Sequence, residues 1–181
     1  MHWIWWAPLG AAILHIVEEF VYPGGFASWD REYRPSIRDS ITPRLHLIMN
    51  TLLLVACLLV PVAGMPGGAI MVGGLRFRSA IPPSLAVAGW LTLAALLFSN
   101  ALFHLLGTYR TGRVSPGVRT GLLLYVPMAL FGYFHFLRTG QASVATATGA
   151  AILGGSYHAW AELGHRWRAG AAGGTRGRPA T

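Results

Sequence analysis

The chain has 181 residues, of which 54% are hydrophobic and only 11% are charged, whereas an ordinary soluble domain carries about 25% charged residues. This apolar composition excludes a disordered chain and a coiled coil, and a single cysteine excludes a disulfide scaffold. The length fits one domain. The net charge of +8 comes from 14 arginines against six acidic residues, and the chain contains no lysine.

Five apolar stretches are each long enough to cross a bilayer core of about 30 Å, which takes a helix of roughly 20 residues. In chain order they are residues 3–22, 45–63, 84–106, 118–137 and 142–167. The sequence therefore predicts an all-α integral membrane protein of five transmembrane helices. Residues 1–167 form its single domain, and residues 168–181, rich in Arg, Gly and Ala, form a flexible cytoplasmic tail.

Arginine is distributed unevenly between the two ends of these spans. Eleven arginines lie within residues 31–44, 110–119 and 166–178, on one side, and three lie at positions 76, 78 and 138, on the other. The positive-inside rule then places the N-terminus outside and the C-terminus in the cytoplasm. We expect a multi-pass protein of the bacterial cytoplasmic (inner) membrane, with the lipid bilayer as its partner. Because the arginines follow the membrane sides, nucleic acid is not an expected partner.

Segments outside regular spans carry their own signals. Residues 23–43 are expected to form an amphipathic surface segment that serves as a lid or an anion-binding rim. Residues 65–79 predict a short external loop or hairpin, and Pro127 predicts a kink inside the fourth span. Gly149, Gly154 and Gly155 are expected to permit close helix packing.

Ionisable residues are concentrated where a membrane makes them costly, at about 2.5–3.5 kcal/mol each on insertion scales. Three of the six acidic residues and five of the seven histidines fall inside the predicted spans, and His165 lies at the end of the fifth. The residues inside the spans are Glu18, Glu19, Glu162, His15, His46, His104, His135 and His158.

Helical spacing puts most of these groups on shared faces. Glu18 and Glu19 follow His15 by three and four residues, and Glu162 follows His158 by four, so that each set returns to one side of its helix. His46 and Asn50 are likewise four residues apart, as are Asn100 and His104. Given the predicted orientation, these four patches share a layer in the cytoplasmic half of the membrane. His135 lies outside that layer and is expected only to hydrogen-bond between helices.

Imidazole and carboxylate together form a ligand set suited to zinc, iron or manganese. We therefore predict one or two divalent transition metals, with Asn50 and Asn100 as hydrogen-bond partners of the ligands. Glu19 and Glu162 are the candidate catalytic residues, as general base or bridging ligand. The predicted ligands are His15, Glu18, Glu19, His46, His104, His158 and Glu162.

The ordered set of motifs resembles the HXXEE family of small bacterial multi-spanning membrane proteins. The run His15-Ile16-Val17-Glu18-Glu19 lies in the first span, His46 opens the second, and Asn100 and His104 lie in the third. The resemblance extends roughly over residues 7–165. It supports the choice of residues and implies no reaction, because the family is named for its motif.

Three functions fit these features. The favoured one is a membrane-embedded metal-dependent enzyme, an oxidoreductase or hydrolase acting on a lipophilic small molecule that enters from the inner leaflet. The second is a proton-coupled transporter that uses the same His/Glu relay, in which a homodimer would supply the internal symmetry. The third is a structural or accessory subunit whose polar network only fixes helix packing.

Overall fold

The computed structural model describes residues 2–21, 25–64, 69–72, 75–78 and 81–176, and within these it is almost entirely helical. Four helices are long and apolar enough to cross a membrane, judged by length and composition. They are Trp3–Val21, Pro43–Gly64, Pro83–Thr111 and Val118–Arg138, close to the first four predicted spans.

Near the start of the first helix, α1 (Trp3–Val21), a proline leaves one backbone carbonyl without its helical hydrogen bond. Pro8 has no amide hydrogen, so the carbonyl of Ile4 lacks its usual partner within the helix. The indole Nε1 of Trp90 donates a 2.9 Å hydrogen bond to that carbonyl. Trp90 is fully buried and lies against Gly132, whose missing side chain leaves room for the ring.

A short capping segment separates α1 from α3 (Pro43–Gly64). It consists of α2 (Gly25–Tyr33) and the 3-10 helix Pro35–Ser40. The helical form agrees with the predicted amphipathic segment, because Trp29 and Ile37 are buried while the charged residue Arg38 is exposed.

A two-stranded antiparallel hairpin, β1 (Ala69–Val72) and β2 (Leu75–Arg78), follows α3. The predicted hairpin in this region is therefore present.

The longest helix, α4 (Pro83–Thr111), is the centre of the bundle. It packs against α3, against α6 (Val126–Arg138) and most extensively against α7 (Val144–Gly155). The next long helix consists of α5 (Val118–Thr120), a π-helical segment (Gly121–Tyr125) and α6 (Val126–Arg138). The π-helical segment lies just before Pro127, the residue for which the sequence predicted a kink, and wider turns of this kind accommodate an interrupted hydrogen-bond ladder.

The fifth predicted span differs from the prediction, because it is not one helix. It divides at Ser156 into α7 (Val144–Gly155) and α8 (Tyr157–Arg176). Neither half is among the candidate membrane-spanning helices. Glycine at positions 154 and 155 weakens the helix where it breaks. Alpha-helix continues to Arg176, well into the segment expected to be a flexible tail.

Candidate metal centre

The carboxylate of Glu19 is the point on which three histidines from three helices converge. His15 Nε2, one turn earlier on α1, lies 3.4 Å from Glu19 Oε1, and His104 Nε2 on α4 lies 3.4 Å from the same oxygen. His46 Nε2 on α3 lies 3.1 Å from the other carboxylate oxygen. His15, Glu19 and His104 form a group whose nitrogen and oxygen atoms all lie within 4.8 Å of one another, a group that could hold a metal ion.

The group is almost completely shielded from solvent. His15, Glu19 and His104 are 1%, 3% and 0% exposed, respectively. Gly117, in the turn before α5, has a left-handed backbone with φ of +92°. A Cβ atom there would lie 2.7 Å from His15 Cε1 and 3.1 Å from His104 Cε1, so only glycine allows this turn to pack directly on both rings.

Thr120 determines which nitrogen of His15 carries a proton. The backbone N–H groups of Arg119 and Thr120 both donate to the Glu18 carboxylate, as does the Thr120 hydroxyl at 2.6 Å. Because that hydroxyl has already given its proton, its oxygen accepts from His15 Nδ1–H at 3.0 Å. The Nε2 atom of His15 is thereby directed toward Glu19.

His104 is held in a similar way from its far side. Its Nδ1 lies 2.9 Å from the Ser115 hydroxyl, so that Nε2 faces the centre. The side-chain amide nitrogen of Asn100 lies 3.0 Å from His15 Nε2 and 3.3 Å from His104 Nε2. Hydroxyl partners that fix ring orientation are typical of histidine metal ligands.

His46 has a corresponding amide neighbour on its own helix. The side-chain nitrogen of Asn50 lies 3.1 Å from both His46 Nε2 and Glu19 Oε2. Both asparagines thus contact predicted ligands, with their amide nitrogens beside the Nε2 atoms that face the centre. Their role as hydrogen-bond partners of bound ligands stays a prediction.

Glu18, Glu162 and His158, the remaining predicted ligands, do not join this group. Adjacent helical residues point about 100° apart, so Glu18 faces the start of α5 while Glu19 faces the histidines. Glu162 pairs instead with Arg34 at 3.1 Å and Arg166 at 2.9 Å. His158 stacks flat on Phe103, with ring centroids 4.5 Å apart.

The capping segment covers the group from one end. The ring of Phe26 lies over His46 and His104, with centroid distances of 4.8 Å and 5.0 Å. Trp29 fills the space left by Gly107 on α4. Helix α2 therefore closes the approach to the histidines with aromatic rings.

Arg34 joins this cap to α8. Its guanidinium donates to Asp30 at 2.7 Å and to Glu162, and lies 5.0 Å from the Phe103 ring centroid. Burial works against the charge of Arg34, but the two carboxylates outweigh it and raise its pKa above the ordinary value.

The sequence did not identify four of these contributors: Ser115, Gly117, Thr120 and Phe26. Ser115 and Gly117 lie in the turn that joins α4 to α5, and Thr120 ends α5. Only the Pro116-Gly117 pair marked this turn in the sequence. Thr120 is 105 residues from His15 along the chain, a distance at which helical periodicity carries no information.

Residues 5–132 match the family model described as "Protein of unknown function with HXXEE motif". No curated protein and no solved structure shows significant similarity to the chain. The match extends over well more than half of the 181 residues, and the chain belongs to the HXXEE family.

Proposed function

We propose that this member of the HXXEE family is a membrane-embedded metalloenzyme with one divalent metal ion, zinc or iron, bound by His15, Glu19 and His104. His46 is a fourth ligand or a hydrogen-bond donor to Glu19. Two histidines and one carboxylate are the donor set of catalytic zinc sites and of non-haem iron oxygenases.

The single observation that carries this proposal is the spacing of the donor atoms. Four ligands about 2.1 Å from a tetrahedral metal ion are about 3.4 Å apart. His15 Nε2 and His104 Nε2 each lie 3.4 Å from Glu19 Oε1. Because the Glu19 carboxylate and the ring nitrogens that face it are buried, a cation shared among them, either a proton or a metal ion, would satisfy all of them.

A metal ion bound here would supply Lewis-acid activation of water or reaction with oxygen. The protein's own part is to hold the imidazoles through Thr120 and Ser115 and to exclude bulk water with α2. Glu19 is a ligand and, through its second oxygen beside His46, a candidate proton acceptor. We propose that the substrate is a lipophilic small molecule, because the helices around the site are apolar.

We also propose that the chain crosses the bacterial inner membrane five times, with the site in the cytoplasmic half. The broken pair α7–α8 would make the fifth crossing. Gly154 packs on Thr92 and Leu96 near the middle of α4, and His158, further on, stacks on Phe103. The pair therefore follows α4 toward its C-terminal end, which the arginine distribution places in the cytoplasm.

Metal analysis of detergent-purified protein tests the function. We expect about one equivalent of zinc or iron in the wild type and a loss of at least tenfold in Glu19→Gln and His104→Ala. His135→Ala is the matched control, because His135 stacks on Phe131 and Phe136, away from Glu19. Wild-type protein that takes up no metal, or equal metal in all four proteins, contradicts the proposal.

One observation favours the transporter as the second candidate. Glu18, Thr120, His15 and Glu19 form a continuous chain of close polar contacts. From Glu19 the polar contacts continue to His46 and Asn50 on α3. The spacing of the donor atoms around Glu19 nevertheless favours the metalloenzyme. Ion flux in liposomes that Glu19→Gln abolishes would favour the transporter instead.

A further inference from the structure

A cavity of about 270 Å³ adjoins the candidate metal centre. His15, Glu19 and His46 belong to its wall, together with residues of α3, α4 and α8. The volume is just below the ~300–1,000 Å³ of typical small-molecule sites. It therefore fits a small ligand and not a whole phospholipid.

The cavity is polar at one end and apolar at the other. Asp30, Arg34 and His165 line the end near the capping segment, whereas Leu53 and Leu93 line the end toward the middle of the helices. A molecule that matches this wall has one polar group attached to an apolar body.

One exposed edge of the cavity is apolar, and the exposed residue Thr42 lines another part of the wall. Leu52 and Ala56 on α3 both line the cavity and are exposed, Leu52 by 58%. Both belong to a candidate membrane-spanning helix. A ligand that enters here comes from the hydrocarbon region of the bilayer.

The charged groups beside the cavity are already paired. Arg34, the only cationic side chain among the described residues of the wall apart from histidines, donates to Asp30 and Glu162 and lies over Phe103. An anionic ligand group would therefore find no free cationic partner, and the remaining carboxylate of the wall, Glu19, already contacts three histidines and Asn50.

His158 offers one unused hydrogen-bonding position. Its ring lines the cavity, and its Nε2 atom is buried with no partner among the described residues. A buried polar atom of this kind is unfavourable while it has no hydrogen-bond partner. A hydroxyl or carbonyl group of a ligand would satisfy it.

We infer that the cavity beside Glu19 binds an uncharged lipophilic small molecule with one hydroxyl or carbonyl group and an apolar body of about ten carbons. The molecule enters between the helices from the bilayer, and its polar group lies among His46, Asn50 and His158. That this molecule is the substrate of the metal centre rests on the proposed function, but its binding does not require the metal.

Photolabelling in lipid nanodiscs tests this inference, with decanol that carries a diazirine near its methyl end as the probe. We expect saturable labelling of α3 or α4 that excess decanol competes for at least tenfold better than decane or decanoate. Ala56→Trp fills the opening and should reduce labelling at least tenfold. Leu59→Trp is the matched control, because Leu59 is 59% exposed on the same helix and does not line the cavity.

His158→Phe keeps the stacking partner of Phe103 and removes the polar atom. In this variant decane should compete as well as decanol. Equal labelling of Ala56→Trp and Leu59→Trp, or stronger competition by decane or decanoate in the wild type, overturns the inference. Metal content measured on the same samples separates the two proposals: bound metal without saturable labelling rejects the ligand alone, and saturable labelling without metal rejects the metal centre alone.

Discussion

Two neighbouring glutamates of the first helix have different tasks. Glu19 lies among the three histidines, whereas Glu18 accepts hydrogen bonds from Thr120 and Arg119 of α5. Both act on His15, one by direct contact and one through the Thr120 hydroxyl.

Removal of the Thr120 hydroxyl tests how His15 is oriented. Thr120→Val keeps the side-chain shape but removes the acceptor for His15 Nδ1–H. We expect metal affinity to fall about 10–100-fold, as for other partners of ligating histidines, while Thr120→Ser stays near wild type. Competition with a chelator of known affinity measures the change. Unchanged affinity in the valine variant would show that Thr120 does not position the ring.

Gly117→Ala should damage the same centre by contact. The new Cβ atom would lie 2.7 Å from His15 Cε1, in a backbone conformation that itself costs about 1–3 kcal/mol for other residues. Gly112→Ala is the matched control, since Gly112 also has positive φ but has nothing within 4 Å. We expect both variants to have lower melting temperatures and only Gly117→Ala to lose metal. Loss of metal in both would make the effect one of stability alone.

Helical periodicity accounts for part of the candidate site. It placed His15, Glu19, His46 and His104 on faces that can converge, and the four side chains do come together. The sequence grouped Glu18 with Glu19 because both are within one turn of His15, but a single residue step turns Glu18 toward α5. It grouped Glu162 with His158 on one face of α8, but Arg34 takes that carboxylate.

At the scale of elements, one glycine determines how closely helix α7 approaches α4. A Cβ atom on Gly154 would lie 2.1 Å from the Thr92 carbonyl oxygen, whereas one on Gly155 or Gly149 would meet nothing within 4 Å. The sequence indicated all three glycines as packing positions. Only the contact geometry separates them, because it depends on where α4 lies.

Gly154→Ala should therefore destabilise the bundle, and Gly155→Ala should not. The first substitution forces α7 away from the backbone of α4, and overpacking of this kind typically costs about 1–3 kcal/mol. Thermal unfolding in the same detergent measures both variants. Equal melting temperatures for the two would mean that α7 is free to move away from α4 at little cost.

The break at Ser156 is the main departure from the predicted elements. Hydropathy alone reads residues 142–167 as one span, because it averages over the glycine pair at its middle. Beyond the break, Glu162 and His165 contact Arg34 and Ser40 of the capping segment. Helix α8 therefore contacts the capping segment as well as the bundle.

For the whole molecule, the proposed topology can be read from cysteine accessibility in intact cells. In a Cys57→Ala background, Gln141→Cys in the turn before α7 should react with a membrane-impermeant thiol reagent. Ser36→Cys and Arg168→Cys should react only after permeabilisation, because the arginine distribution places both in the cytoplasm. All three positions are exposed.

Two other patterns of labelling would contradict the proposed topology. Reaction of Arg168→Cys together with Gln141→Cys would show that α7 and α8 do not complete a fifth crossing. Reaction of Ser36→Cys with protection of Gln141→Cys would show that the orientation is inverted.

The different surroundings of Glu18 and Glu19 bear on how other chains with this motif should vary. On the proposed function, position 19 should tolerate only a side chain that can coordinate a cation, whereas position 18 should need only an acceptor that reaches the amides of residues 119 and 120. A substitution at position 18 should therefore be accompanied by a change at position 120, and one at position 19 by loss of the histidines. The two letters that end the motif are therefore expected to vary with different partners, position 18 with position 120 and position 19 with the histidines, and His15 contacts both sets.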